Sequence, residues 1–135
     1  MSIGALKGYP LIVTAAVLRR DGKVLISQRQ EGHLAGMWEF PGGKLEPGET
    51  PEECLARELM EELNVGAEVK DILAVVYHEY QDGPILLLAY DCALLPGEGI
   101  EETPHVRWVS PWELDAFKLA PADVAVARKL KEIQG

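Results

Sequence analysis

One stretch limits what this chain can build more than any other: Gly43, five residues, Glu49, seven residues, then Arg57-Glu58-Leu59-Met60-Glu61-Glu62-Leu63-Asn64-Val65. Leu55, Leu59 and Leu63 recur every four residues, which on a helix makes one apolar stripe that must be buried. Glu58, Glu61 and Glu62 stand at i, i+3 and i+4 and share a second face. The helix also carries its own boundaries. Thr50 suits the N-cap, Pro51 the first helical position, and Glu53 completes a capping box. Asn64 stands where a left-handed stop residue belongs, a conformation Asn tolerates nearly as well as Gly. Gly42-Gly43 ahead of the helix permits close approach of backbone to an ion or a phosphate. Three neighbouring carboxylates repel one another; a hard divalent cation with oxygen ligands removes that cost and turns the cluster into a site for phosphate chemistry. A purely solvated glutamate face is the competing reading, and the capped ends, the Gly-Gly entry and the fixed spacing argue against it.

The rest of the chain supplies strands for this helix to pack on. Leu11 to Leu18 (LIVTAAVL) is rich in β-branched residues and reads as a buried strand. Asp21-Gly22 is a favoured hairpin pair, so Lys23 to Gln30 is expected to fold back as the second strand. Glu31 to Gly36 reads as a loop. Ile72 to Tyr80 and Ile85 to Leu94 form two further strands around a turn at Gln81-Asp82-Gly83. Pro96 to Pro104 is an acidic loop, His105 to Val109 a short strand, Ser110-Pro111 the start of a brief helix, and Pro121 to Ile133 a closing helix. Antiparallel hairpins with two or three helices predict an α+β domain, helices packed on a mixed sheet, with residues 1–135 as a single domain.

A net charge of −9 argues against general binding to a nucleic acid backbone. It also opposes an anionic phosphate substrate, unless cations neutralise the carboxylates and present positive charge to it. No apolar run reaches membrane-spanning length, and the opening MSIGALKGYP lacks the features of a secretory signal. Cys54 and Cys92 form no metal-ligand or CxxC pattern, so they are expected to be small buried hydrophobes in a reducing cytoplasm.

The run Gly43 to Val65 resembles the Nudix box, the signature of enzymes that hydrolyse a nucleoside diphosphate linked to another group. Every charged position is met, at Glu49, Arg57, Glu58, Glu61 and Glu62; Asn64 replaces the usual Gly. The resemblance implies the Nudix fold, a mixed β-sheet sandwiched between α-helices. The stretch Ile26 to Glu49 is similar to the MutT-like branch, whose members cleave nucleoside triphosphates. In that branch an Arg after the second strand and a His in the next loop contact the nucleotide, and Arg29 and His33 match them. Glu39-Phe40-Pro41-Gly42 matches the segment lining the nucleotide site, with the Gly42 carbonyl offered to a metal. Glu102, six residues before Trp108, matches a further metal-binding Glu. Leu119 to Asp123 (LAPAD) is similar to the segment that hydrogen-bonds the base, with Asp123 as in CTP pyrophosphohydrolase relatives.

The implied reaction is attack of water inside the triphosphate, giving a monophosphate and pyrophosphate, with Mg2+ as cofactor and Mn2+ as a substitute. The implied substrate is 8-oxo-dGTP or a similar nucleotide, with CTP or modified dCTP, or another nucleoside diphosphate-linked compound, as the alternative. Glu58, Glu62 and the Gly42 carbonyl are the expected direct ligands, leaving Glu61 and Glu102 for a second ion or the general base. Arg57 is expected to orient a neighbouring glutamate, and Glu49 to support the loop. Plainer roles compete at several positions: a strand-end arginine at Arg29, a loop histidine at His33, core packing for Trp38 and Phe40, and the N-cap of the last helix for Asp123. The partner is a small nucleotide, with neither nucleic acid nor membrane expected, in a monomer or homodimer. A nucleotide-binding module without catalysis is disfavoured because no glutamate of the box is missing.

Overall fold

The computed structural model describes residues 9–134; Met1 to Gly8, which make up most of the opening segment read for a secretory signal, lie outside it, as does Gly135. Among the described residues, seven strands and two α-helices follow in the order β1 (Leu11–Arg20), β2 (Lys23–Gln28), β3 (Trp38–Glu39), β4 (Gly42–Lys44), α1 (Pro51–Leu63), β5 (Ala67–Tyr80), β6 (Gly83–Leu94), β7 (Val106–Val109) and α2 (Pro121–Gln134). A 3-10 helix, Pro111–Ala116, precedes α2. The sheet is mixed. Its path runs β3-β2-β1-β6-β5, with β4 added on β1 and β7 on β2. β1 is parallel to β6, and the other pairs are antiparallel.

Successive residues of a strand face opposite sides of a sheet, and β1 uses both. Ala15 and Val17 join a core with Val126, Ala127 and Leu130 of α2. Ala16 and Leu18 join a second core with Leu55 and Leu59 of α1. The two helices therefore cover opposite faces, as expected for a sandwiched sheet. Leu55 and Leu59 are fully buried, each contributing about 1.5–3 kcal/mol; Leu63, at the end of the stripe, is half-buried.

Several boundaries differ from expectation. β1 runs two residues further, into a tight turn where Asp21 and Gly22 both have positive φ (52° and 78°), the geometry that Asp-Gly favours. β2 stops at Gln28 rather than Gln30; beyond it the Arg29 N–H still meets the Met37 carbonyl and closes the following loop. β5 starts at Ala67, ahead of Ile72, its pairing with β6 continuing past register shifts on either side of Ile72. β6 begins at Gly83, and β7 at Val106 instead of His105. β3 and β4 were not anticipated. Each is two or three residues long and is held by pairing with β2 or β1 rather than by any periodicity of its own.

Candidate active site

The Gly42-Gly43 pair is shaped by β1. Gly42 lies opposite Ala15 and Gly43 opposite Thr14. The Ala16 N–H donates to the Pro41 carbonyl at 2.7 Å, so the alternation of an antiparallel ladder turns the Gly42 carbonyl away from β1. A Cβ on Gly42 would lie 2.1 Å from the Thr14 carbonyl oxygen, and one on Gly43 would lie 2.4 Å from Cδ of Glu58. Only glycines allow β4 to lie this close to β1 on one side and to a carboxylate on the other. Buried Thr14 donates its hydroxyl to the Gly43 carbonyl at 3.1 Å, and the buried Cys54 thiol donates to the Lys44 carbonyl at 3.3 Å. These two contacts fasten β4 to both β1 and α1.

Helix α1 then presents the acidic residues. Its capping box is complete, the Thr50 hydroxyl accepting from the Glu53 N–H and the Glu53 carboxylate from the Thr50 N–H. Asn64 ends it at φ 55°, ψ 41°, in the left-handed region. Arg57 is the centre of the charged array. Its Nε and Nη2 donate to the two oxygens of Glu49 at 3.0 and 2.8 Å, and its Nη1 reaches Glu58 at 2.9 Å and Glu61 at 3.2 Å. The expected paired bond therefore falls on Glu49, the residue expected to support the loop. With the Glu46 N–H also donating to it, the Glu49 carboxyl is held down at about 2 by Arg57 first and that N–H second.

Glu62 behaves in the opposite way. Although it keeps an exposed surface along the helix, partial desolvation of its carboxyl, followed by the adjoining Glu58 carboxylate, pushes it up to about 8; Glu39 and Glu61 add to the effect. A cation among these groups would relieve that repulsion, and Glu58, Glu62 and the Gly42 carbonyl offer only oxygen donors, the set a hard divalent ion prefers. Among the described residues no three acidic, His or Cys side chains form a ready-made cage. That is consistent with magnesium, which typically takes one or two carboxylates and completes its shell with water and substrate phosphates. Glu102 stands apart from this group. Its carboxylate accepts from the Trp108 N–H at 2.9 Å, is lowered by that bond first, and does not line the main cavity.

A second group gathers where β3 meets the approach to α2. The Trp38 N–H donates to the Lys118 carbonyl and the Ala120 N–H to the Trp38 carbonyl, at 2.8 and 2.9 Å. This brings Leu119 to Asp123 beside Glu39 and Phe40. Asp123 is buried as the third residue of α2, and its Oδ1 accepts from the Phe40 N–H at 3.0 Å. It lies inside the first turn of α2, which starts at Pro121, and so is not the N-cap, which corrects that alternative. Burial pushes its carboxyl up to about 7, against the pull of the Phe40 N–H. Arg29 grips Glu39 with Nε and Nη2 at 3.1 and 2.7 Å and donates Nη1 to the His33 carbonyl at 2.8 Å. The exposed His33 ring stands edge-on to Tyr80, with ring centroids 5.3 Å apart. The Phe40 side chain and Pro41 are buried, and Trp38 packs edge-on against Phe117.

Parts of both groups line one cavity of about 840 Å3: Gly42, Gly43 and Glu62 share walls with Arg29, His33 and Asp123, while Glu58 and Glu61, like Glu102, are not among its lining residues. A pocket of this size accommodates a nucleotide. Sequence reasoning missed Thr14, Lys44 and Tyr80, which also line it. A hydroxyl inside the apolar run of β1 was the available signal for Thr14, and a phenol beside a hairpin turn for Tyr80.

The NUDIX domain family model matches residues 8–131. The CTP pyrophosphohydrolase of Escherichia coli (strain K12) is 40% identical over 114 residues, covering 83% of this chain and 84% of that protein. The 8-oxo-dGTP diphosphatase of the same strain is 33% identical over 125 residues, covering 90% and 96%. Among solved structures, that of the E. coli ORF135 protein superposes with a TM-score of 0.79 at 34% identity, covering 100% of this chain and 96% of the other. With its glycine-carboxylate site on a sheet sandwiched between helices, the chain belongs to the NUDIX family and is a hydrolase of phosphoanhydride bonds.

Proposed function

We infer that residues 1–135 act as one catalytic domain: a magnesium-dependent, MutT-like pyrophosphohydrolase that converts a nucleoside triphosphate, with oxidised purines such as 8-oxo-dGTP as the leading class, to the monophosphate and pyrophosphate. One observation carries the reading. A single cavity is lined both by Gly42, Gly43 and Glu62 of the acidic segment and by a buried carboxyl suited to a nucleobase. Glu58, Glu62 and the Gly42 carbonyl hold the ion, with manganese able to replace magnesium. When bound, the ion offsets charge on the phosphate oxygens and makes water more acidic. Water attacks one phosphorus, the bridging P–O bond breaks toward pyrophosphate, and the proton passes to a carboxylate. Glu61, exposed and bonded only to Arg57, is our choice for that acceptor. Glu102, whose Oε2 accepts from the Trp108 N–H, is the alternative acceptor through its other oxygen. Arg57 keeps Glu49, Glu58 and Glu61 in place. Arg29, His33, Glu39, Phe40 and Pro41 border the nucleotide.

Asp123 reads the base. Protonated, it donates to a purine carbonyl; ionised, it accepts from an exocyclic amine. With its carboxyl at about 7, both forms are present at neutral pH. The LAPAD run ending in Asp123 favours CTP or a modified dCTP as the second reading. We place the protein in the cytoplasm, where its two free, buried cysteines stay reduced, as a monomer or homodimer without nucleic acid or membrane partners. The test is pyrophosphate release from 8-oxo-dGTP, dGTP, CTP and dCTP, with and without magnesium. We expect no release without the ion and a clear preference with it. Slow, equal turnover on every nucleotide would remove the role of Asp123, and release of orthophosphate alone would remove the reaction.

A further inference from the structure

Helix α2 starts without a cap of its own. Ala120, the residue before it, has no side-chain acceptor, and Pro121 has no N–H. The N–H groups of a first turn need partners outside the helix. The Asp123 N–H turns back to the Ala120 carbonyl at 2.9 Å. The Ala122 N–H donates to the phenol oxygen of Tyr80 at 3.1 Å. An aspartate in a first turn often serves its own helix end, yet the Asp123 Oδ1 crosses to Phe40 instead. Tyr80, at the end of β5, thus takes the place of the missing cap. That arrangement leaves the second oxygen of Asp123 for the cavity both residues line.

The phenol itself is held from two sides. His33 stands edge-on to its ring, and the His78 ring lies tilted against it with centroids 4.4 Å apart. Arg29, bonded to the His33 carbonyl, ties the same frame to Glu39. Ala122 and Asp123 are adjacent, so a shift of the Ala122 peptide moves the Asp123 carboxyl directly. Hydrogen bonds weaken steeply with misalignment, so such a shift would blur any choice between bases.

We propose that Tyr80 is a positioning residue for base selection: it caps α2 at Ala122, bears His33, and so fixes where the Asp123 carboxyl meets the nucleobase. This rests on the assignment of Asp123 to base reading. Tyr80→Phe keeps the ring contacts and removes only the acceptor. Its kcat/KM on the preferred triphosphate should fall about five- to tenfold, and much less on the poorest, so the ratio between them narrows. The Ala122 amide should also exchange faster with solvent. An unchanged ratio, or an equal loss on every nucleotide, overturns the proposal. Asp123→Asn, run on the same panel, separates the two layers. A ratio that survives Asp123→Asn removes base reading by Asp123, whereas one that collapses there and survives Tyr80→Phe removes Tyr80 alone. Should Tyr80→Phe not fold, amide exchange in the unaltered chain still decides: a slowly exchanging Ala122 supports the cap, and an unprotected one overturns it.

Discussion

Glu62 and Gly43 show how single residues build the acidic site. The Glu62 carboxyl is raised because it is partly desolvated beside Glu58, so replacing it with a neutral isostere removes a repulsion along with a proposed ligand. Glu62→Gln should therefore lose at least about a hundredfold in turnover, yet melt at or above the temperature of the parent chain when both are free of divalent ions. Adding magnesium should raise the melting temperature of the parent more than that of the variant. Near-full activity in the variant would take Glu62 out of the metal site. Gly43→Ala places a methyl group 2.4 Å from Cδ of Glu58, at the end of a side chain that can swing aside. The expected cost falls on ion binding, with the magnesium concentration for half-maximal activity rising about tenfold. Gly42→Ala meets the Thr14 backbone at 2.1 Å instead. It should destabilise the fold by about 1–3 kcal/mol or more in a denaturant titration.

At the scale of elements, α1 is the part of the molecule whose signals are all local. Thr50→Ala removes one half of a complete capping box and should cost about 1 kcal/mol in denaturant unfolding. Asn64→Ala forces a Cβ without amide compensation into φ 55° and should cost roughly 1–2 kcal/mol, while Asn64→Gly should be tolerated. Equal melting of Asn64→Ala and the parent would show that the left-handed stop contributes nothing. Because cap, stripe and stop lie within or next to the helix, its limits could be read from the sequence alone. The Asp21-Gly22 turn was legible for the same reason, and the long hydrophobic strands were legible as elements though not in their ends, which pairing with neighbours decides. β3 and β4 could not be read in this way. Two or three residues with glycines have no periodicity, and their pairing partners lie in β2 and β1. Distance along the chain also hid the support of the site. Thr14 meets Gly43 across 29 residues, Tyr80 meets Ala122 across 42, and Asp123 meets Phe40 across 83. The type of residue at Asp123 suggested a cap, but its buried partner is the Phe40 N–H of the neighbouring segment.

Across the whole molecule, α1 and α2 reach one cavity from opposite faces of the sheet, so acidic groups from both layers crowd the same space. Folding stability should record this through pH. Burial raises Asp123 from 3.8 to about 7, and desolvation with Glu58 raises Glu62 from 4.5 to about 8. A group with a raised folded pKa binds its proton more tightly in the folded state. Its stabilising share is complete below its ordinary value and is lost as pH climbs through the raised one. Glu49 has the opposite sign: held at about 2 by Arg57, it stabilises above the ordinary carboxylate range and loses that effect as pH falls. The ion-free chain should therefore be most stable at about pH 4–5 and weaken steadily toward pH 8, where its net charge of −9 adds general repulsion. Denaturant midpoints measured from pH 3 to 9 in a chelator would check this, and a midpoint rising from pH 5 to 8 would contradict it. Asp123→Asn should flatten the decline between about pH 4 and 7 while leaving that due to Glu62. Magnesium should act mainly at the alkaline end. An ion that binds only the folded chain stabilises it by mass action, and it competes there with few protons on Glu62. The pH profile with magnesium should thus be flatter than the profile without it, the gap between them widening as Glu62 ionises.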